Sequence, residues 1–397
     1  MKKILHIITR LDRGGSPEDT LYTCINLRKQ GYECVIVHGI SKLPPESLMR
    51  EASGVGVKFI LAPELGRSIN PVKDLLAFIG IFSILRREKP DIVHTHTSKA
   101  GIIGRWAAWL YNLNPKSQLP NPKKAKIIHS THGHVFYGYY NRFISLLFIL
   151  AERLTANITD TITVLTENEI TETLSYKVGY PDLFTVIHSG IEYRTSSAKA
   201  NIRQKLGISP DAIVIGSAGR FDPVKGYVDL VTAAKIILSI KDSEKIVFLL
   251  TGDGIQMPVI KKMISGPMAG NFILTGWQNN VEDYIQASDI YVQPSINEGL
   301  GKTILMAQML GRPVVATKVQ GIVSLIDDNR TGLLANPHNP KDLAEKITML
   351  INDKGKRDKL GENAKNWVFE KDPETSFYKF SVEQMNALYM KLYSRLL

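Results

Sequence analysis

The sequence predicts an α/β protein built from two Rossmann-like domains, each a parallel sheet flanked by helices. Three observations lead there. The chain has 397 residues, more than one hydrophobic core usually serves at ~100–200 residues per domain. Short runs rich in Val and Ile alternate with helical patterns, as buried parallel strands joined by crossover helices do. The alternation occurs twice, with a break near Ser189-Gly190-Ile191.

The first series opens with an apolar run at residues 3–9, a turn at Gly14-Gly15 and a helical pattern over 18–30 that Gly31 stops. Strands follow at Cys34–Val37, Lys58–Leu61, Asp91–His94, Ile127–Ser130 and Thr161–Thr166. Helices fall at Pro71–Glu88, Gly101–Leu110 and Phe143–Ala156. The second series has strands at Ile213–Gly216, Ile246–Thr251, Phe272–Leu274, Ile290–Val292 and Val314–Ala316. Its clearest helices are Tyr227–Lys241 and Lys302–Leu310. The tail Ser376–Leu397 has aromatic and aliphatic residues at helical spacing and reads as a closing helix. The expected domains are therefore 1–188, 189–375 and a returning helix over 376–397. Ligands of open α/β sheets bind beyond the carboxyl ends of the strands, so residues just after strands are the site candidates, expected to face each other across a cleft.

Composition narrows the function. Apolar content of 44% and charged content of 22% describe an ordinary globular chain, not a disordered or fibrous one. A net charge of +11 favours anionic partners such as phosphate-bearing ligands or an anionic membrane. Zinc-finger spacing, RNP-type aromatics and a helix-turn-helix signature are missing, which argues against nucleic acid. The run Met1–Arg10 is interrupted by Arg10, Asp12 and Arg13 before a signal core is complete, and it reads better as a buried strand. No stretch reaches the ~18–20 apolar residues of a membrane span. The two cysteines, Cys24 and Cys34, lack metal or redox spacing and read as small buried thiols. A cytoplasmic chain is expected.

Gly219-Arg220-Phe221-Asp222-Pro223-Val224-Lys225-Gly226 sits between a strand and a helix. The fork of an Arg, the point charge of a Lys and a helix N-terminus suit a diphosphate. A solvated loop with two incidental cations fits the same letters. Glu298 follows the strand Ile290–Val292, and Gly299, Leu300 and Gly301 precede the helix opening at Lys302. A carboxylate there can accept sugar hydroxyls or simply cap the helix. His132, in Thr131-His132-Gly133-His134, follows a strand, and His94 and His96 lie near another; each could bind a substrate hydroxyl or carbonyl. Histidines at strand ends also raise a metal, but no Asp-x-Asp pair is present to hold a divalent ion beside a nucleotide, and none is expected.

Taken together, the motifs resemble the retaining glycosyltransferases of family four, which have the GT-B fold. The resemblance rests on Gly14-Gly15, Asp91-Ile92-Val93-His94-Thr95-His96, Thr131-His132-Gly133 and Val186–Ile191. It continues through Gly219-Arg220 with Lys225-Gly226, Gly252-Asp253-Gly254, Pro294-Ser295 to Glu298-Gly299, Gly311–Thr317 and Thr331–Leu334. It implies that Arg220, Lys225 and the backbone of Gly15 hold a donor diphosphate. Glu298, with the loop Gly299-Leu300-Gly301-Lys302, would contact the transferred sugar, and His132 would lie near the reaction centre. It implies transfer of a hexose or N-acetylhexosamine, from a UDP-sugar by preference, with retention and without a metal or other cofactor. The first domain would take the acceptor, with His96, Lys99 and Tyr137 on that side, and the resemblance is to enzymes extending lipid-linked or surface glycans.

Two departures stand out. The family usually has a second Glu eight residues after the first; here it is Met306, which cannot accept hydrogen bonds from ribose hydroxyls. Val319-Gln320-Gly321-Ile322-Val323-Ser324 stands where Gly-Gly-Ile-Pro-Glu is common, and Gln320 would crowd a phosphate loop. Met306 motivates the alternative of a nucleotide-sugar-binding pseudoenzyme, and a nucleotide-sugar epimerase of the same shape is a further alternative. Phe136–Leu150 is apolar with Arg142, Lys123, Lys124 and Lys126 nearby, which suits either an anionic leaflet or a core helix beside a basic loop.

Overall fold

Two all-parallel sheets organise the chain, and each belongs to its own folding unit. The computed structural model describes residues 1–113, 124–133, 135–193, 202–240 and 245–397. Lys123, His134 and Lys241, named above, lie outside them. Unit 1 comprises Met1–Gly190 with Ser381–Leu397, and unit 2 comprises Ile191–Phe380.

Unit 1 runs β1 (Lys3–Ile8), α1 (Gly15–Lys29), β2 (Glu33–His38), α2 (Glu46–Gly54), β3 (Lys58–Leu61), α3 (Pro71–Glu88), β4 (Ile92–His96), α4 (Ser98–Leu113), β5 (Lys126–Ser130), α5 (Arg142–Ala156), β6 (Thr161–Val164), α6 (Glu167–Ser175) and β7 (Phe184–Val186). Its strand order is β3-β2-β1-β4-β5-β6-β7. Order therefore reverses between β1 and β4, where chain crossovers depart to opposite sides and leave a crevice. Even-numbered residues of β1 face α1: Ile4 and Ile8 pack with Leu21, Cys24, Leu27, Cys34 and Ile36. Odd-numbered Leu5 and Ile7 pack on the other face with Ala77, Ile81, Ala100 and Ala107. This period-2 sorting is what a strand covered on both faces requires.

Unit 2 runs α7 (Ile202–Lys205), β8 (Ile213–Ala218), α8 (Tyr227–Ile240), β9 (Ile246–Thr251), α9 (Met257–Met263), β10 (Phe272–Gly276), α10 (Val281–Gln286), β11 (Ile290–Gln293), α11 (Lys302–Met309), β12 (Val314–Thr317), α12 (Gln320–Val323), β13 (Leu333–Ala335), α13 (Pro340–Asn352) and α14 (Lys354–Val368). The strand order is β10-β9-β8-β11-β12-β13, with the reversal between β8 and β11.

The closing helix, α15 (Val382–Leu396), starts six residues later than the spacing suggested. Ser376 has φ 62° and Ser381 caps the helix by accepting from the Gln384 amide, so the turn before it is not helical. In unit 1, α15 packs on α1 and buries Met385, Tyr389, Leu392 and Tyr393 in the same core as Ile4 and Ile8. His94 and His96 do not follow a strand either: β4 runs through His94 and ends on His96, and both are buried.

Candidate functional site

In unit 2 the loops that follow β8 and β11 flank the reversal point. The chain leaves β8 at Ala218, makes a tight turn over Pro223–Lys225 and enters α8. Gly226 has φ 69°, and a Cβ there would lie 1.9 Å from the Pro294 carbonyl oxygen. Only glycine lets the loop after β8 touch the loop after β11 this closely. Ile296 donates its amide to the Val224 carbonyl at 2.7 Å, which locks the two loops together.

That contact brings Lys225 to Glu298. Lys225 Nζ lies 2.6 Å from Glu298 Oε2, with side-chain exposures of 18% and 12%. The same Glu oxygen accepts from Ser295 Oγ at 2.9 Å and Gln293 Nε2 at 3.4 Å. Gln293 is fixed in turn by Tyr291 and Thr303 hydroxyls on its Oε1, at 3.1 and 3.0 Å. The carboxylate is therefore oriented before any ligand arrives. Arg220 pairs with Asp222 at 3.1 Å and keeps a side-chain exposure of 35%, so its fork still reaches solvent.

The N-terminus of α11 lies just beyond. Gly301 occupies the cap position with φ 90° and provides no side-chain cap. No side chain caps this end, and the helix dipole gives it positive potential. Leu300 and Gly301 are buried, whereas Gly299, Lys302 and Met306 are partly exposed. Gly321 backs this loop: a Cβ on it would lie 2.2 Å from the Gly299 oxygen and 2.4 Å from the Glu298 oxygen. Gln320, expected to crowd the loop, is half-buried at the start of α12, and its glycine neighbour makes the close approach.

In unit 1 the reversal point lies between β1 and β4, with Gly14-Gly15 after β1. Gly15 opens α1, and Gly14 before it supplies no side-chain cap. His132 follows β5 with φ 52°, a left-handed conformation uncommon for a non-glycine residue and typical of strained functional loops. Its Nε2 lies 3.0 Å from His96 Nδ1, and its Nδ1 lies 3.9 Å from Asp19 Oδ2. Asp19 also accepts from Ser189 Oγ at 2.5 Å.

Beneath His132 sits a buried polar cluster. His6 Nδ1 lies 2.9 Å from His96 Nε2. His94 spans Tyr393 Oη at 2.6 Å and Ser130 Oγ at 2.7 Å. Ser130 also meets Tyr389 Oη at 3.0 Å and Thr163 Oγ1 at 2.6 Å. Burial drives His94, His96 and His129 well below the ordinary histidine range, and neighbouring histidines add to the shift, together with Arg105 beside His129. These rings are neutral at pH 7. Burial likewise pushes the Tyr389 phenol up to about 12. Ring nitrogens of His6, His94 and His96 lie within 4.8 Å of one another, a spacing that could serve a metal. Hydrogen bonds occupy both nitrogens of His94 and of His96.

The structure groups the expected residues into two sets. Arg220, Lys225, Glu298, Gly299, Leu300, Gly301, Lys302 and Met306 share one end of the unit 2 sheet. Gly15 and His132 lie at the corresponding strand ends of unit 1. His96 is only 2% exposed and sandwiched between His6 and His132, so it cannot itself meet an acceptor. Lys99 is tied to Asp74 at 2.5 Å and to the Ser68 carbonyl, joining α4 to α3 rather than reaching out. Tyr137 is half-buried, and burial together with the Glu172 charge raises its phenol. Sequence reasoning missed His6, Asp19, Gln293 and Ser295. A signal existed for His6: it is a polar residue in a buried strand, two positions from Ile4 and Ile8 on the same face.

Two family models match the chain: "Glycosyltransferase Family 4" over residues 13–194 and "Glycosyl transferases group 1" over residues 198–367. Among curated relatives, the Escherichia coli UDP-Gal:alpha-D-GlcNAc-diphosphoundecaprenol alpha-1,3-galactosyltransferase is 29% identical over 306 residues, 75% of this chain and 76% of that protein. The Staphylococcus aureus capsular polysaccharide biosynthesis glycosyltransferase CapM is 25% identical over 314 residues, 77% and 79% of the two chains. The Anabaena HepE structure with UDP and glucose superposes with a TM-score of 0.75 at 18% identity, covering 100% of both chains. At that identity the likeness speaks for the fold.

Proposed function

Because the chain belongs to the family four glycosyltransferases of GT-B fold, we propose that it moves a hexose or N-acetylhexosamine from a UDP-sugar to a lipid-linked glycan acceptor, with retention. The observation that carries the proposal is the Lys225–Glu298 pair, held at 2.6 Å at the reversal point of unit 2. A cation and an oriented carboxylate side by side suit the two halves of a nucleotide sugar: phosphate and sugar hydroxyls. On donor binding Lys225 turns to the diphosphate with Arg220, and Glu298 accepts a hydroxyl of the transferred sugar. Gly15 offers its backbone amide to phosphate, and His132 stands at the reacting end in unit 1.

In this reading the acceptor oxygen bonds to the anomeric carbon as the carbon–oxygen bond to the diphosphate breaks. The acceptor proton passes to the departing phosphate oxygen. Arg220, Lys225 and the α11 amides stabilise the negative charge that develops there, in place of a divalent ion. The naming of the E. coli relative for UDP-Gal and a diphosphoundecaprenol acceptor supports the donor and acceptor classes.

A lipid-linked acceptor also makes sense of an exposed apolar face on unit 1. No helix among the described residues is long and apolar enough to cross a membrane. Yet α5 exposes Phe143, Leu146, Leu147, Leu150 and Leu154, and α3 exposes Val72, Leu75, Leu76 and Ile79. Both sets follow i, i+3, i+4, i+7 spacing, one stripe per helix. Between these helices, α4 packs against each and adds Trp109, Leu110 and Leu113. Three adjoining apolar stripes with Lys73, Arg142 and Arg153 on the same helices suit an anionic leaflet.

A nucleotide-sugar-binding chain without turnover is the second reading, favoured by Met306 alone. Transfer from radiolabelled UDP-sugars to lipid extract separates the two. Lys225→Ala and Glu298→Ala should each lower kcat/KM about 100-fold or more, the scale of a lost charge-stabilising donor. Undiminished transfer by both variants would show that the site lies elsewhere.

A further inference from the structure

We infer that His6 and His96 are positioning residues for the transfer reaction, holding His132 in a single tautomer through a buried chain of imidazole hydrogen bonds. The inference rests on His132 standing at the reacting end of unit 1. The chain has two links: His132 Nε2 to His96 Nδ1 at 3.0 Å, and His96 Nε2 to His6 Nδ1 at 2.9 Å. His6 is fully buried and His96 2% exposed, so water does not substitute for either link.

Proton counting makes the chain act as a unit. Each nitrogen–nitrogen contact needs one donor and one acceptor. With one ring proton apiece the three imidazoles supply three protons, and two of these fill the links. The third sits at one end or the other, and its choice sets the direction of every bond. At the His132 end, Nδ1 faces the buried Asp19 carboxylate at 3.9 Å, which favours a proton on Nδ1. At the far end, a ring nitrogen of His6 lies within 4.8 Å of the thiols of Cys24 and Cys34, which are buried with it. The Asp19 end selects the direction: His6 Nδ1–H donates to His96 Nε2, and His96 Nδ1–H donates to His132 Nε2. His132 then carries its proton on Nδ1. It reaches the left-handed backbone at φ 52° with its ring already oriented.

The device differs from a simple core cluster in one respect. The neighbouring His94 ends in hydroxyls that can rotate to suit either tautomer, whereas His96 meets only imidazoles. The His96 link therefore transmits a preference that the His94 links do not.

The test uses the full chain, labelled with ¹⁵N-histidine. Long-range proton–nitrogen NMR should show His132 protonated on Nδ1 in the native protein. His96→Leu should leave His132 as a tautomer mixture and lower kcat about tenfold, the factor one lost neutral hydrogen bond carries, with little change in donor KM. His96→Asn, whose amide can still donate to His132 Nε2, should restore most of kcat and the single tautomer. An unchanged His132 tautomer in His96→Leu overturns the inference. Equal losses in Leu and Asn variants, matched by equal falls in melting temperature, also overturn it by making the role purely structural. If the native chain transferred no sugar, the function above would fall, and the NMR arm would still decide the tautomer.

Discussion

Acidification should destabilise unit 1 far more steeply than its surface charges suggest. The perturbation is a drop from pH 7 to pH 5.5. In the fold, burial holds His94, His96 and His129 neutral, well below the ordinary histidine range. In the unfolded chain each titrates near ~6.5. The folded value lies below the unfolded one, so the stability is fully present above pH ~6.5 and is lost as pH falls toward the folded values. Between those limits the unfolded chain holds about three more protons, a slope of about 4 kcal/mol per pH unit. Because uptake is partial near pH 6.5, the loss from pH 7 to 5.5 comes to roughly 4 kcal/mol. That is a large part of the 5–15 kcal/mol typical of a domain. Urea unfolding of the whole chain, followed at pH 7.0, 6.0 and 5.5, measures it, and His94→Gln should lower the slope by about one proton. A stability that stayed level over this range would refute the reasoning, since it would require these rings to protonate inside the fold.

Three further outcomes follow from the same geometry. Met306→Glu should tighten UDP-sugar binding about tenfold or more in calorimetry, since a hydrogen bond to a charged group is worth ~1.5–3 kcal/mol; unchanged affinity would mean that the ribose is held elsewhere. Arg105, fully buried, donates to Glu152 at 2.6 Å. Arg105→Met should cost ~3–5 kcal/mol in urea unfolding, with much of it recovered when Glu152→Leu is added, and a small loss in the single variant would mean that the carboxyl is already neutralised. Phe143→Asp with Leu147→Asp should weaken co-sedimentation with phosphatidylserine vesicles about tenfold while leaving the fold intact by circular dichroism; equal binding would move the membrane contact off α5.

Much of this architecture could be read from the residues, and the exceptions have physical causes. β3 and α3 have the expected bounds because local chemistry sets them. Asn70 caps α3 through the Lys73 amide, Pro71 opens it, and Lys89 closes it at φ 49°. The strand β4 was cut short because His-Thr-His reads as polar, yet its side chains are satisfied by partners as distant as Tyr393, 299 residues away. α2 was passed over because it buries only Ala52, and α6 because its burial falls on Glu169 and Thr173 instead of an apolar stripe. In the site, the cations and Glu298 were legible as letters after strands. Their contact was not: Lys225 and Glu298 are 73 residues apart, and a carbonyl tucked under Gly226 brings them together. His6 was missed because a lone histidine in an apolar run carries no pattern until β4 lies beside it, with His6 opposite His94.

The chain leaves unit 1 at Gly190 and comes back to it at Ser381, and this sets a timetable for biogenesis. A nascent chain that has passed residue 190 holds every strand of the first sheet but not the helix that seals His94 and Ser130 with Tyr393 and Tyr389. At 5–20 residues per second the ribosome needs on the order of ten to forty seconds to supply it. Throughout that interval unit 2 can be finished from contiguous sequence, while the older half waits with an open core. A stop codon that removed only the last seventeen residues would spare all of unit 2 and leave unit 1, synthesised first, permanently unsealed and a substrate for quality-control proteases.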